Sequence, residues 1–271
     1  MKPSFLKLCA AATAALLVAG AASAHRAWIL PSTFTLSGDE QWVSVDGAIS
    51  NNLFYPNHHA LNLDSLTVTA PDGAKVAIEN ASSGKYRSAF DVKLDRQGTY
   101  RISSGGTGYS ASWDEGGERK RWRGTEETLK ADAVASKPGV EITRSIRRIE
   151  TFVTLGTPSL GVFGAEGTGL ELKPVTHPND VFAGEDVTFQ FLLDGKPAAG
   201  VVVEIVRGND RYRDAEGGLT LTTGADGGIT FIPAEAGPYW LSAEYEGAGT
   251  LDGIPIRVRT TYVATFEALP L

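Results

Sequence analysis

The sequence predicts an all-β protein: two immunoglobulin-like or transthyretin-like β-sandwiches in tandem, with a long Gly- and charge-rich insertion in the first. Three observations predict it. The 271 residues are 42% apolar and 21% charged, which excludes wholesale disorder and a multi-span membrane protein. Glycine and proline, at 31 and 13 residues, punctuate the chain as turns do. Short runs of strand-formers recur between those turns at the spacing of a sandwich. The net charge of −7 and pI near 5.2 carry no basic footprint of a nucleic-acid binder.

Residues 1–24 read as a signal peptide. Lys2 and Lys7 form a positive n-region, 8–20 an Ala/Leu/Val h-region, and Ala22-Ser23-Ala24 a cleavage site. The expected location is the periplasm. Cys9 follows Leu6-Lys7-Leu8, where a lipobox would have small residues, so no lipoprotein is read. Cleavage removes the only Cys and the only Met and leaves a net charge of −9. The mature chain then has no disulfide, no thiolate nucleophile and no sulfur ligand, so any metal it holds must use nitrogen and oxygen.

The first sandwich is expected over 25–165. Residues 41–48 alternate around Trp42, Val43 and Val45, and 66–70 run through Pro71-Asp72-Gly73 into 75–78 as a hairpin. Strands follow at 88–94 and 99–103. The rhythm then breaks over 104–138, which holds Trp113 and Trp122 among many charges and is too long for an ordinary sandwich loop. It reads either as a lid or partner-binding loop or as a solvated insertion stapled down by its tryptophans. Thr125, followed by Glu126 and Glu127, suits the cap and first turn of a short helix over 125–135. A strand or two fill 140–155, and 156–169, with five glycines, is the expected linker. The second sandwich is expected over 170–271, with strands at 187–193, 201–206, 219–223, 228–232, 239–245 and 256–266 and a tight hairpin turn at Ala225-Asp226-Gly227-Gly228.

The chemistry-bearing motifs are few. No zincin helix, phosphate loop, nucleophile elbow or dinucleotide fingerprint is present, so an ordinary hydrolase is disfavoured. The chain has four histidines: His25, His58, His59 and His177. Cleavage after Ala24 would make His25 the first residue, able to offer its α-amine and ring to one metal. The amine titrates near 8, so losing its proton near neutrality is easy. One more imidazole would complete a planar three-nitrogen brace suited to copper(II) or nickel(II). His58 and His59 sit in a loop behind Pro56, with Asp46 and Asp64 the nearest carboxylates in sequence. Adjacent loop histidines can both ligate, or simply decorate a surface loop. His177 precedes Pro178 at the entrance to the second half, where an interdomain site and an ordinary hydrogen-bonded turn are equally served.

The opening HRAWILPSTF resembles the A-H-x-x-W-L-x-P start of a bacterial periplasmic family of unknown function, NikM-like or DUF4198, once described as a substrate-specific region of nickel uptake. LTVTAPDG (66–73), QGTYRIS (97–103), LELKPVTHPNDVFAGE (170–185), DGKPAAGVVVEIVRGNDRYRD (194–214) and TTGADGGITFIPAEAGPYWLSAEY (222–245) are similar to it as well, so the resemblance spans 25–271. It implies a soluble periplasmic protein associated with metal acquisition and TonB-dependent receptors. His25 is carried over from it with its motif; His177 matches a version of the motif at 170–185, while His58 and His59 fall in a more variable loop.

Three functions follow as expectations. The first is a periplasmic binder of a divalent transition metal (Ni, Co, Cu or Zn) or a metal complex, serving uptake or homeostasis through His25, His58, His59 and His177, and partnered by an outer-membrane receptor or inner-membrane transporter. The second is a metal-free binding module for a TonB-dependent receptor, glycan or siderophore. The third is a copper-dependent oxidative enzyme, which would need a flat aromatic face beside the N-terminus.

Overall fold

A computed structural model describes residues 25–271 apart from 165, 210, 212 and 214–216; the expected signal peptide lies outside these. The chain is all-β, as the turn-rich composition predicts. Its spine is one ten-stranded sheet, flanked by a five-stranded and a four-stranded sheet. Four strands of the spine are long: Gly98–Glu115, Glu141–Leu155, Gly237–Leu251 and Ile254–Ala268.

The two halves of the sequence meet inside this sheet. Glu141–Leu155 pairs in parallel with Ile254–Ala268, from Thr143 opposite Arg257 to Thr151 opposite Thr265. Side chains on successive residues point to opposite faces, and the two flanking sheets use this. Ile149, Val153 and Leu155 face the first core with Trp28, Phe90 and Tyr100. Phe152, Tyr262, Ala264 and Phe266 face the other way, into a second core with Phe189 and Phe191. The five-stranded and four-stranded sheets thus cover opposite faces of one shared sheet. That is why 149–155 and 262–266 are buried without interruption, a pattern that belongs to strands covered on both sides.

Several expected elements stand where the sequence places them. Val43 and Val45 are buried while Trp42 is exposed. The Pro71-Asp72-Gly73 turn joins Thr67–Thr69 to Lys75–Val76, closed by an Ala70 N–H donating to the Ala74 carbonyl at 2.8 Å. The turn at 225–228 differs: Leu219–Thr222 lies in the large sheet and Gly228–Phe231 in the four-stranded one, so it carries the chain between sheets and closes no hairpin. Gly227, at φ +78, allows this, because a Cβ there would stand 2.3 Å from the Phe191 carbonyl oxygen.

The stretch 104–138 is neither a lid nor a loop in its first part. Ser104–Glu115 continues the long strand begun at Gly98, and Glu118–Gly124 folds back on it as a hairpin. The glycines that break the sequence pattern are strand residues: at Gly105 a Cβ would stand 2.1 Å from the Arg147 carbonyl oxygen of the neighbouring strand. Thr125 caps the helix Glu126–Ala131 through a capping box with Thr128. This helix and the turn Val134–Ser136 lay Leu129 and Val134 over Tyr109, Ala111, Trp113 and Ile142, making a third core. Trp113 is inside it and Trp122 packs against it. The stapled reading of the insertion is the one the packing matches.

Candidate metal centre

Three of the four histidines meet at one end of the five-stranded sheet. Arg26–Pro31 pairs with Gln41–Ser50, and Arg26 stands opposite Ser50, so His25 projects beside the loop that follows Ser50. That loop returns to the same strand, where His59 pairs with Ile49 and Ala60 with Ala48. His25 and His58 stack with ring centroids 3.6 Å apart and planes 8° from parallel. His59 stands edge-on to His58 at 4.2 Å.

The loop is held by short-range polar contacts. Asn57 Oδ1 accepts from the Asn51 N–H at 2.8 Å, and Asn57 Nδ2 donates to Asn52 Oδ1 at 3.1 Å. Beneath it, Trp28 Nε1 donates to Ser50 Oγ at 2.8 Å, and Ser50 Oγ donates to the Asn52 carbonyl at 2.7 Å. Phe54, left-handed at φ 62, meets Trp28 edge-on at 5.6 Å. The strand carrying His25 is fixed to the second half as well: Arg26 pairs with Glu204 at 2.9 Å, and Trp240 Nε1 donates to the Ala27 carbonyl at 3.0 Å. The backbone on either side of the cluster is therefore anchored, while the rings of His25 and His59 stay exposed.

Burial, and then the neighbouring His25 and His59 charges, hold His58 below the usual imidazole range. Protonating His58 between two further imidazole rings is costly. A neutral ring is also the form that ligates a metal. The donor chemistry fits copper, nickel or zinc. The orientation is that of stacked rings, whose lone pairs run in parallel planes, and one or both must turn about χ2 to converge on an ion. Among the described residues no group of three or more His, Cys, Asp or Glu is already arranged to hold a metal ion.

His177 belongs elsewhere. Its Nδ1 accepts from the Asn179 N–H at 3.0 Å, which places the ring proton on Nε2, within 3.2 Å of the Ser159 carbonyl and 3.0 Å of Thr99 Oγ1. Phe163 meets the ring edge-on at 5.4 Å. Burial lowers its pKa, against the opposing pull of the Ser159 carbonyl and Asp180. Thr99 follows Leu94 by one turn, and Leu94 pairs with Gln41, at the far end of the ten-residue strand that carries Ser50. At about 3.3 Å per residue the two ends are roughly 30 Å apart. The fold brings His25, His58 and His59 together and leaves out His177, whose ring nitrogens are engaged in the linker. Asp46 is not a partner of the cluster either; its carboxylate takes Arg87 at 3.3 Å.

The residues that sequence reasoning missed lie where the linker crosses the shared sheet. Glu150, 3% exposed, receives the Tyr262 hydroxyl at 2.9 Å, with Arg101 and Arg148 each at 3.7 Å. Glu166 bridges the same arginines at 2.7 and 2.9 Å. Burial, partly offset by the two arginines, raises the Glu150 carboxyl above its ordinary range. Arg148 and Glu150, charges at alternate positions just before Phe152 and Val153, were the available signal. This knot ties 156–169 to both halves.

A family model described as "Domain of unknown function (DUF4198)" matches residues 22–247. No curated protein matches the chain. Among solved structures, it is similar at 10% identity to "D0-D1 domain of Intimin", covering 86% of this chain and 96% of that one with a TM-score of 0.20. It is similar at 10% to the S-layer protein SbsC, domains 5-6, covering 91% and 98% with a TM-score of 0.24. Trypsin-activated alpha-2-macroglobulin from Escherichia coli matches at 12%, covering 89% of this chain and 16% of that one, with a TM-score of 0.22.

Proposed function

The chain belongs to the DUF4198 family of domains of unknown function, and from that premise we propose that it is an exported, periplasmic binding protein for a divalent transition metal (copper, nickel, cobalt or zinc) or a small complex of one. The ligands in this reading are His25, His58 and His59, and the role is uptake or homeostasis, in exchange with an outer-membrane receptor or an inner-membrane transporter. The observation that carries it is the return of the 51–58 loop onto His25. Residues more than thirty positions apart come into ring contact, and three of the four histidines in the chain share one spot. A bound ion would be held by nitrogen donors, which suit copper(II) and nickel(II) best. Removal of residues 1–24 would add the α-amine of His25 as a further donor.

The copper-oxidase reading is less well supported. It asks for an exposed aromatic face beside His25, and Trp28 is instead buried, packed edge-on to Phe54.

Three forms of the protein, produced through the export pathway, test the proposal: the wild type, a form with one extra residue before His25, and His25→Ala. The extra residue keeps the imidazole and turns the amine into an amide. Copper(II) and nickel(II) titrations should show affinity falling in both altered forms, by about tenfold or more, which is 1.4 kcal/mol per decade. Equal affinity across the three would overturn the site, and an intact leader on the exported protein, seen by mass, would overturn the location.

A further inference from the structure

The long sheet has one bare stretch. The five-stranded sheet covers part of one of its faces, and the helix Glu126–Ala131 covers part of the other. Beyond the five-stranded sheet, the first of these faces continues uncovered across Glu118–Gly124, Gly98–Glu115, Glu141–Leu155 and Ile254–Ala268. Paired residues share a face, so the registers define its surface. One row across the strands reads Arg123, Ser110, Thr143, Arg257. The next on one side begins Arg121, Ser112, Glu141, and the next on the other reads Gly108, Ser145, Arg259. Short side chains occupy the middle strands, except for Glu141, which is paired with Arg119 at 2.6 Å, and arginines the outer ones, which makes a trough of about 660 Å3 lined by Ser110, Ser112, Arg121, Arg123, Glu141, Thr143 and Arg257.

Two features mark this trough as more than a solvated face. Among the described residues, Arg121, Arg123 and Arg257 form no ion pair, although the chain carries an excess of acid and most of its other arginines are matched to carboxylates. Gly108, in mid-strand, has no left-handed φ and nothing within 4 Å of where its Cβ would stand. An interior strand glycine marks a bulge, a tight bend or the close approach of another backbone or a ligand; the register runs unbroken through Gly108 opposite Ser145, and no backbone lies near its Cβ position.

We propose that this trough binds an acidic oligosaccharide, its anionic groups taken by Arg121, Arg123 and Arg257 and its hydroxyls by Ser110, Ser112 and Thr143. Guanidinium forks match carboxylate geometry with paired hydrogen bonds. The outer arginine strands are three strand spacings apart, about 14 Å, too wide for the forks to close on one small anion and suited to a chain with repeated charges. The hydroxyl floor decides among polyanions. A protein partner would look for a large apolar anchor, whereas Ala111, Ile142 and Ile256 belong to the opposite core with Trp122 and Val140 packed against it, which leaves the small Ala248 and Pro255 as the apolar side chains of the trough. Single-stranded nucleic acid would look for a stacking platform, which serine and threonine do not supply.

The test is isothermal titration of the full exported protein, in chelator to silence any metal site, with oligogalacturonate, a neutral cello-oligosaccharide, poly-glutamate and oligo-dT as probes. Oligogalacturonate should bind, with affinity falling as salt rises, and the neutral sugar should not. Arg121→Gln with Arg257→Gln should weaken binding by about a hundredfold if each fork contributes about one decade. Gly108→Phe, one row beyond Ser110 on the same face, should lay a ring over the edge of the floor and weaken binding without removing any charge. Unchanged thermal midpoints would show that all variants fold. Poly-glutamate or oligo-dT binding as tightly as the acidic sugar would overturn the glycan assignment. Absence of binding by any probe, or binding indifferent to the three substitutions, would overturn the site.

Discussion

His58 and His177 are the same side chain in opposite situations, and the contrast separates an imidazole packed among other imidazoles from one spent on backbone hydrogen bonds. His58 lies against two other histidine rings, one stacked at 3.6 Å and one edge-on at 4.2 Å. His177 sits in a socket where Nδ1 accepts one backbone N–H and Nε2 faces a carbonyl and a hydroxyl. Both are held below the ordinary imidazole pKa, by burial in each case, aided for His58 by its histidine neighbours. A lowered pKa therefore does not distinguish them. Among the described residues, ring nitrogens without a hydrogen bond do.

The largest expected effect is on stability. His177→Ala should cost about 3 kcal/mol in urea unfolding, since it opens a cavity and strands the Asn179 N–H and the Ser159 carbonyl. Metal affinity should not change. A loss below about 1 kcal/mol, the scale of one ordinary hydrogen bond, would break the contrast from the structural side.

His58→Ala should do the reverse. Stability should move by less than about 0.5 kcal/mol, as for a surface substitution, while copper(II) affinity should fall by about tenfold or more on the 1.4 kcal/mol-per-decade scale. Unchanged affinity in both His58→Ala and His59→Ala would leave His25 without an imidazole partner.

The two sites should also part company in their response to acid. The folded-state pKa of His177 lies below its unfolded value of about 6.5, so its contribution to stability is complete above that value and is lost as pH falls through the folded pKa. Urea midpoints of the wild type should drop across that window relative to those of His177→Gln. At the cluster, protons compete with metal, so affinity should fall as pH drops, and the lowered His58 pKa should extend binding to more acidic solution than a free imidazole would allow. An affinity flat from pH 8 to 5 would contradict ligation by histidine.

The smallest effect sharpens the picture of the loop. Asn57→Ala removes two exposed hydrogen bonds and should cost about 1 kcal/mol or less. It should weaken metal binding a few-fold by letting His58 drift from His25. Nuclear magnetic resonance of the three imidazoles would register the loosening directly.

Much of the fold was legible because strand periodicity is local. Residues 88–94 and 187–193 are strands with the bounds their sequence suggests, and Thr125 caps its helix because capping involves only four consecutive residues. The misjudged stretch, 104–115, failed for a non-local reason. Its glycines and serines suit neither core nor ordinary exposed strand, and they form a strand because Glu141–Leu155 and Glu118–Gly124 pair on either side of it. The candidate site divides in the same way. His25 stood out as a candidate from its place after an expected cleavage motif, and the pairing of His58 with His59 followed from adjacency. Whether either met His25, or whether His177 did instead, depended on the strand register.

What the sequence determined by itself was composition and local order: an all-β chain, its turns, one helix cap, and the few nitrogen donors that any metal site would use. Tertiary structure alone decided which donors meet, which histidine is spent on hydrogen bonds, and that the two halves share one sheet. The reason is physical. Local backbone preference and side-chain alternation act over a few residues, whereas the parallel pairing of Glu141–Leu155 with Ile254–Ala268 closes a loop of more than a hundred. That closure is compensated only when both faces of the joined strands find cores to enter.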